Sequence, residues 1–206
     1  MIYVERPAAG EAEAAFVLVH GRGASEHDLV GLFDALDPER RLHGYSPRGP
    51  LSFPPGGAHW YGVYRVGFPD PATFAEGFAA LAGFVDSLPY ERLVIGGFSQ
   101  GAVMSYAVGL GRGRPRPLAV IGFSGFVPIV EGWELGDAPF PPIAIGHGTL
   151  DPVIPIEFAH RSLDQLGDAG AEVLYRESPM AHAIDPAFVA ELVPWLAAAV
   201  RAPGEA

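Results

Sequence analysis

The chain has 206 residues, room for one domain with a sizeable core, and its 49% hydrophobic and 18% charged content excludes an intrinsically disordered polymer. A formal net charge of −11 argues against a nucleic-acid partner, because an acidic surface repels the phosphate backbone. Cysteine, lysine and asparagine are all absent, which removes disulfides, thiol nucleophiles, lysine Schiff bases, Walker-type phosphate lysines and N-glycosylation.

The first segment, Met1-Ile2-Tyr3-Val4-Glu5-Arg6-Pro7, lacks the basic-then-apolar build of a signal peptide, so a cytoplasmic protein is expected. Residues 2–5 and 14–20, separated by the turn-forming 7–10, predict an opening antiparallel hairpin. Further short apolar runs rich in Val, Ile and Leu lie at 93–97, 118–123, 143–146 and 172–175, and read as strands. Helical patterns fall between them at 26–36, 71–88, 100–110, 155–166 and 186–200. In the second of these helices Phe74, Phe78, Leu81 and Val85 recur at the period of one buried face. Pro71 and Pro186 stand at helix starts, where a missing N–H costs nothing. Residues 93–111 carry no charge and must be tested as a membrane span. Their glycines and Ser99, Gln100 and Ser105 make them a buried strand, a tight turn and a buried helix instead.

Strand–helix alternation predicts an α/β fold with a mostly parallel sheet covered on both faces, in a single domain over 1–206 with 201–206 as a flexible tail. Sites in such sheets form beyond the carboxyl ends of the strands. The residues that directly follow the apolar runs are therefore the informative ones.

Gly97-Phe98-Ser99-Gln100-Gly101 follows one strand and opens a helix, the context of a nucleophile elbow. Alone, the pattern also fits a plain glycine turn. Ser99 needs a base, and His182 follows the 172–175 strand; the base needs an acid, and Asp151 follows the 143–146 strand. Each of the three has a bland reading as a loop or capping residue. Their order of Ser, Asp, His, each after its own strand, selects a catalytic triad. An oxyanion needs N–H donors: the Gln100 backbone N–H is one, and the loop His20-Gly21-Arg22-Gly23 after the 14–20 strand is placed to supply another. His20 and His27 lack a third ligand in their segment, so no metal site is expected, and His20 reads as a buried anchor of that loop. Ser25 is placed to cap the helix that follows. Gly122-Phe123-Ser124-Gly125-Phe126 mimics the elbow without its last glycine and reads as a strand end, with Phe126 as a candidate cleft wall.

These segments, together with His147-Gly148-Thr149-Leu150-Asp151-Pro152-Val153-Ile154-Pro155 and Met180-Ala181-His182, resemble the phospholipase/carboxylesterase family of α/β-hydrolases, which includes the acyl-protein thioesterases. The resemblance runs through nearly the whole chain in order. It implies an α/β-hydrolase fold with an antiparallel N-terminal strand and little or no lid. It implies Ser99 as nucleophile, Asp151 as acid and His182 as base, with the Arg22 and Gln100 N–H groups as oxyanion donors. His59-Trp60-Tyr61 sits where the family places a Trp–aromatic pair near the cleft, so Trp60 and Tyr61 are either pocket or core aromatics. Three positions depart from the family pattern. Ala181 replaces the glycine usual before the base, Gly62 replaces an acidic residue, and Arg22 fills a variable position that is often apolar. The Arg22 side chain either faces solvent or pairs with a substrate carboxylate.

The resulting expectation is a serine carboxylesterase of small to medium esters, working through an acyl-enzyme without metal or cofactor. Its partner is a small-molecule ester, with no nucleic acid and no membrane span; self-pairing through an apolar patch by the cleft stays open. A thioesterase acting on acylated protein or carrier is the alternative within the same chemistry. A binding protein on a retired hydrolase fold is the alternative outside it.

Overall fold

The computed structural model describes residues 1–201, so the expected tail at 201–206 lies, beyond Arg201, outside the described residues. The elements in chain order are β1 (Tyr3–Arg6), β2 (Ala15–Val19), α1 (Val30–Leu36), β3 (His43–Pro47), β4 (Leu51–Phe53), β5 (Gly57–His59), β6 (Val63–Arg65), β7 (Phe68–Pro69), α2 (Pro71–Asp86), β8 (Leu93–Phe98), α3 (Gln100–Leu110), β9 (Ala119–Phe123), β10 (Ile143–Gly148), α4 (Glu157–Asp168), β11 (Val173–Ser178) and α5 (Pro186–Val200). A seven-stranded sheet has the order β1-β3-β2-β8-β9-β10-β11. Only β1 runs antiparallel, and the other pairings are parallel. This is the α/β-hydrolase architecture that the motif order implied.

Alternation along the strands divides the interior into two layers. In β2, Ala15, Val17 and Val19 point into a core shared with α2 and α3, while Phe16 and Leu18 point into one shared with α1 and α5. Every residue of α3 is buried, which explains why its sequence carries no charge. Helices α2 and α5 begin at Pro71 and Pro186 as expected. Asp70 and Asp185 cap them, accepting from the N–H groups of Thr73 at 2.9 Å and Ala187 at 2.8 Å.

Two expectations are corrected. The opening hairpin does not form: β1 pairs with β3, which inserts between β1 and β2 and runs parallel to β2. The β3 sequence His-Gly-Tyr-Ser-Pro has no apolar run to announce a strand, yet Gly44 to Pro47 are buried there. The first helix is also shorter than expected. It starts at Val30, and Ser25 serves a preceding turn, in which its Oγ accepts from the His27 N–H at 3.3 Å. Between β3 and α2, two small hairpins (β4–β5 and β6–β7) fold over the carboxyl end of the sheet near the site.

Candidate active site

Parallel pairing delivers β2, β8, β10 and β11 to one edge of the sheet, and the reactive residues lie on the loops just beyond them. Ser99 sits between β8 and α3 with φ 57° and ψ −121°, a conformation that L-residues avoid. The turn is held in place from both sides. The Ser99 N–H donates to the Phe123 carbonyl at 2.8 Å, and its carbonyl accepts from Ala102 and Val103 at the start of α3. Crowding explains the glycine two residues on, since a Cβ at Gly101 would land on the Val19 carbonyl of the adjacent strand.

His182 brings the three expected residues together. Its Nε2 lies 2.9 Å from Ser99 Oγ and its Nδ1 lies 2.6 Å from Asp151 Oδ2. A carboxylate can only accept, so the imidazole proton resides on Nδ1 and the Nε2 lone pair faces the serine hydroxyl. The Asp151 side chain is fully buried, and its Oδ1 accepts from the Val153 and Ile154 N–H groups at 2.8 and 2.9 Å. Those bonds hold the carboxylate in one orientation. His147, also fully buried, donates from Nε2 to the Ile154 carbonyl at 2.8 Å and pins the same loop from behind. Burial holds the His147 imidazole below its ordinary pKa, so it remains neutral beside Asp151. Sequence reading missed this role, although the position of His147 in the run before Asp151 was visible.

The loop 20–23 lies against the nucleophile. A Cβ at Gly21 would sit 3.3 Å from the Phe98 ring and 3.4 Å from Ser99 Cβ, so the loop backbone packs closely against the elbow and a side chain there would be a tight fit. Among the described residues, the backbone N–H groups of Arg22 and Gln100 donate to no protein acceptor. His20 fixes the loop. The Gly49 N–H donates to its Nε2 at 3.0 Å, which leaves the proton on Nδ1, 2.7 Å from the Gly21 carbonyl. The Gly21 carbonyl and the Arg22 N–H belong to one planar trans peptide and point opposite ways, so holding one aims the other. Burial also keeps the His20 pKa below the ordinary histidine value, consistent with this neutral tautomer.

Gln100 has a second part that sequence reading did not foresee. Its side-chain Oε1 accepts from the Trp60 N–H at 2.7 Å and its Nε2 donates to the Tyr61 carbonyl at 2.8 Å. Trp60 is itself fully buried, and its indole N–H donates to the His20 carbonyl at 3.0 Å. Trp60 is therefore a correction to the expected pocket: it braces the loop from the core and does not line the cavity beside Ser99. Tyr61 and Phe126 do line that cavity, together with Arg22, the β6–β7 hairpin residues Val63, Val66 and Phe68, and Val153 and Ile154. Its volume is about 150 Å³ and its walls are mostly apolar. The hairpin wall escaped detection because its short strands are exposed on most of their length and show no burial period.

No helix among the described residues is long and apolar enough to cross a membrane, and no three of their His, Asp or Glu side chains cluster as metal ligands.

The phospholipase/carboxylesterase family model matches residues 3–199. The chain belongs to that family. Membership makes it a hydrolase, with esterases and thioesterases among its relatives. It is 31% identical to acyl-protein thioesterase 1 of Candida albicans over 192 residues, covering 78% of this chain and 82% of that one. In structure it resembles the Bacillus cereus carboxylesterase, with a TM-score of 0.84 and 21% identity over 96% of this chain and 93% of the other. The Zea mays acyl-protein thioesterase 2 superposes with a TM-score of 0.78 and 24% identity, over 97% and 99% of the two chains. Those two likenesses show the fold.

Proposed function

We propose that this family member is a serine carboxylesterase of small to medium esters, with residues 1–201 acting as one catalytic domain. The observation that carries the reading is the unbroken relay from Asp151 Oδ2 through His182 to Ser99 Oγ, at 2.6 and 2.9 Å, on a strained elbow. Ser99 Oγ attacks the ester carbonyl as His182 Nε2 takes its proton, and Asp151 orients the ring and balances the imidazolium. The carbonyl oxygen becomes an oxyanion, which the N–H groups of Arg22 and Gln100 hold in place. The intermediate collapses, and the alcohol leaves with the proton from His182. A water then repeats the sequence on the acyl-enzyme, releasing the acid and restoring Ser99.

The size of the cavity supports the substrate range. About 150 Å³ is well below the ~300–1,000 Å³ of pockets that enclose drug-sized ligands. A short acyl group fits inside, and anything longer extends over the exposed rim of Val63, Phe68 and Val153. We take the enzyme as cytoplasmic and as needing no cofactor.

The thioesterase names of the fungal relatives favour a second reading, the release of acyl groups from protein thioesters by the same residues. Hydrolysis of 4-nitrophenyl esters from acetate to decanoate, beside the matching acyl-thioesters and a Ser99→Ala control, separates the two. Turnover of oxygen esters that disappears in the control supports the carboxylesterase. Preference for the thioesters transfers the proposal to the second reading, and no turnover of either by folded protein defeats both.

A further inference from the structure

Arg22 stands out among the arginines of this acidic chain. Most of the others form ion pairs, as in Arg6–Asp37, Arg41–Glu13 and Arg48–Glu26. Arg92, Arg116 and Arg161 donate to backbone carbonyls. Among the described residues Arg22 makes neither kind of bond, although acidic residues outnumber basic ones 24 to 13. It is also the single charged residue among those lining the cavity that holds Ser99, and the rest of the lining apart from Ser99 and Gln100 is apolar or aromatic. Its guanidinium is nonetheless seated. The Cζ atom lies 4.8 Å from the centroid of the Phe53 ring, and that ring packs edge-on against His59. Burial, and behind it the charge of Arg22, hold the His59 pKa below the ordinary histidine value, and an imidazole in either protonation state offers Arg22 no anionic partner. A second cation without an ion pair among the described residues, Arg65, is stacked 3.7 Å from the centroid of Phe68 on the hairpin that walls the same cavity.

An ion-paired arginine is neutralised within the protein, whereas a guanidinium held on an aromatic face keeps its planar fork of donors for a ligand. We infer that Arg22 selects esters carrying a carboxylate a few bonds from the scissile carbonyl, binding that carboxylate through its guanidinium while its own backbone N–H serves the oxyanion. The inference rests on the proposed esterase reading and narrows its substrate class. The net negative charge of the protein opposes an anion at long range, but at contact with Arg22 at the cavity wall, well within the ~8 Å Debye length of physiological salt, the local cation governs.

Two substrate pairs locate the carboxylate. For the acyl side, the 4-nitrophenyl ester of glutarate is compared with its methyl-capped neutral form. For the alcohol side, 4-carboxyphenyl acetate is compared with 4-carbamoylphenyl acetate. The readout is the ratio of kcat/KM within each pair, which cancels any effect of substitution on the oxyanion loop itself. Losing a charge-assisted hydrogen bond should lower the anionic-to-neutral ratio of one pair by about 10- to 100-fold in Arg22→Leu. Arg22→Lys should fall between the two, and Phe53→Leu, which unseats the guanidinium without touching the nucleophile, should lower the same ratio by a smaller factor. Which pair responds assigns the carboxylate to the acyl or the alcohol side. Unchanged ratios in both pairs overturn the inference.

A calorimetric titration of Ser99→Ala with monomethyl glutarate and with dimethyl glutarate separates this result from failure of the esterase reading. Arg22-dependent preference for the monoester in a protein whose parent hydrolyses nothing would keep the anion site and end the esterase reading. Equal binding of the two ligands overturns the anion site.

Discussion

The side-chain Oε1 of Gln100 accepts the Trp60 backbone N–H at 2.7 Å, so the residue that follows the nucleophile also carries the 59–61 segment. Its Nε2 closes the second half of the clamp on the Tyr61 carbonyl. Both atoms are buried, and a substitution would leave a donor and an acceptor without partners or water. Gln100→Ala should therefore destabilise the fold by about 2–6 kcal/mol, the sum of two unsatisfied groups at ~1–3 kcal/mol each. Urea unfolding followed by tryptophan fluorescence gives this directly, and a change within experimental error would mean that the segment is held by packing alone.

Removing the nucleophile or its base should abolish most of the rate. Ser99→Ala and His182→Ala are each expected to lower kcat on an activated ester by about 10⁶, as in hydrolases whose triad acts as a unit. Asp151→Asn should cost about 10⁴, because the amide no longer enforces the Nδ1–H tautomer. A His182 variant that keeps a tenth of the activity would refute the base assignment.

His20 acts through its neighbour, by fixing the peptide that carries the Arg22 N–H. The His20→Ala variant should lower kcat by about 10²–10³, the usual worth of one oxyanion donor, with a much smaller change in KM. His20→Gln, which has a donor and an acceptor of its own, should recover part of that loss. If KM rises while kcat stays level, the loop shapes the pocket and the donor is aimed by something else.

Burial also makes stability depend on pH. His20 and His147 are both held below the ordinary histidine pKa, chiefly by desolvation. Between about pH 6.5 and the lowered folded values, the unfolded chain takes up protons that the folded one refuses, so stability falls as pH falls. The slope approaches about 1.4 kcal/mol per pH unit for each such histidine. Urea midpoints should be lower at about pH 5.5 than at about pH 7.5, and the gap should narrow in His20→Gln. A midpoint constant over that range would show that neither histidine resists protonation.

Much of the site was legible before any coordinate. The elbow around Ser99, the helix starts at Pro71 and Pro186 and the chain order Ser99, Asp151, His182 all follow from short-range rules: glycine where backbone crowds backbone, proline where no N–H is needed, apolar runs where strands are covered on both faces. Those rules act over a few residues, and the residues that obey them are adjacent in the chain.

Pairing across the fold was decided elsewhere. The placement of β3 between β1 and β2 depends on which partner buries Gly44 to Pro47, and His-Gly-Tyr-Ser-Pro carries no period that names it. The role of Trp60 turned on whether its indole found a carbonyl in the core, which it does at His20. The bonds from Gln100 to Trp60 and Tyr61 and from His20 to Gly49 join segments roughly 30 to 40 residues apart. That Arg22 has no ion pair among the described residues is likewise known only once the partner of every neighbouring charge is known. A hydrogen bond or a missing ion pair between distant segments is a property of the folded geometry, because residue type supplies the donor and only the fold supplies the acceptor.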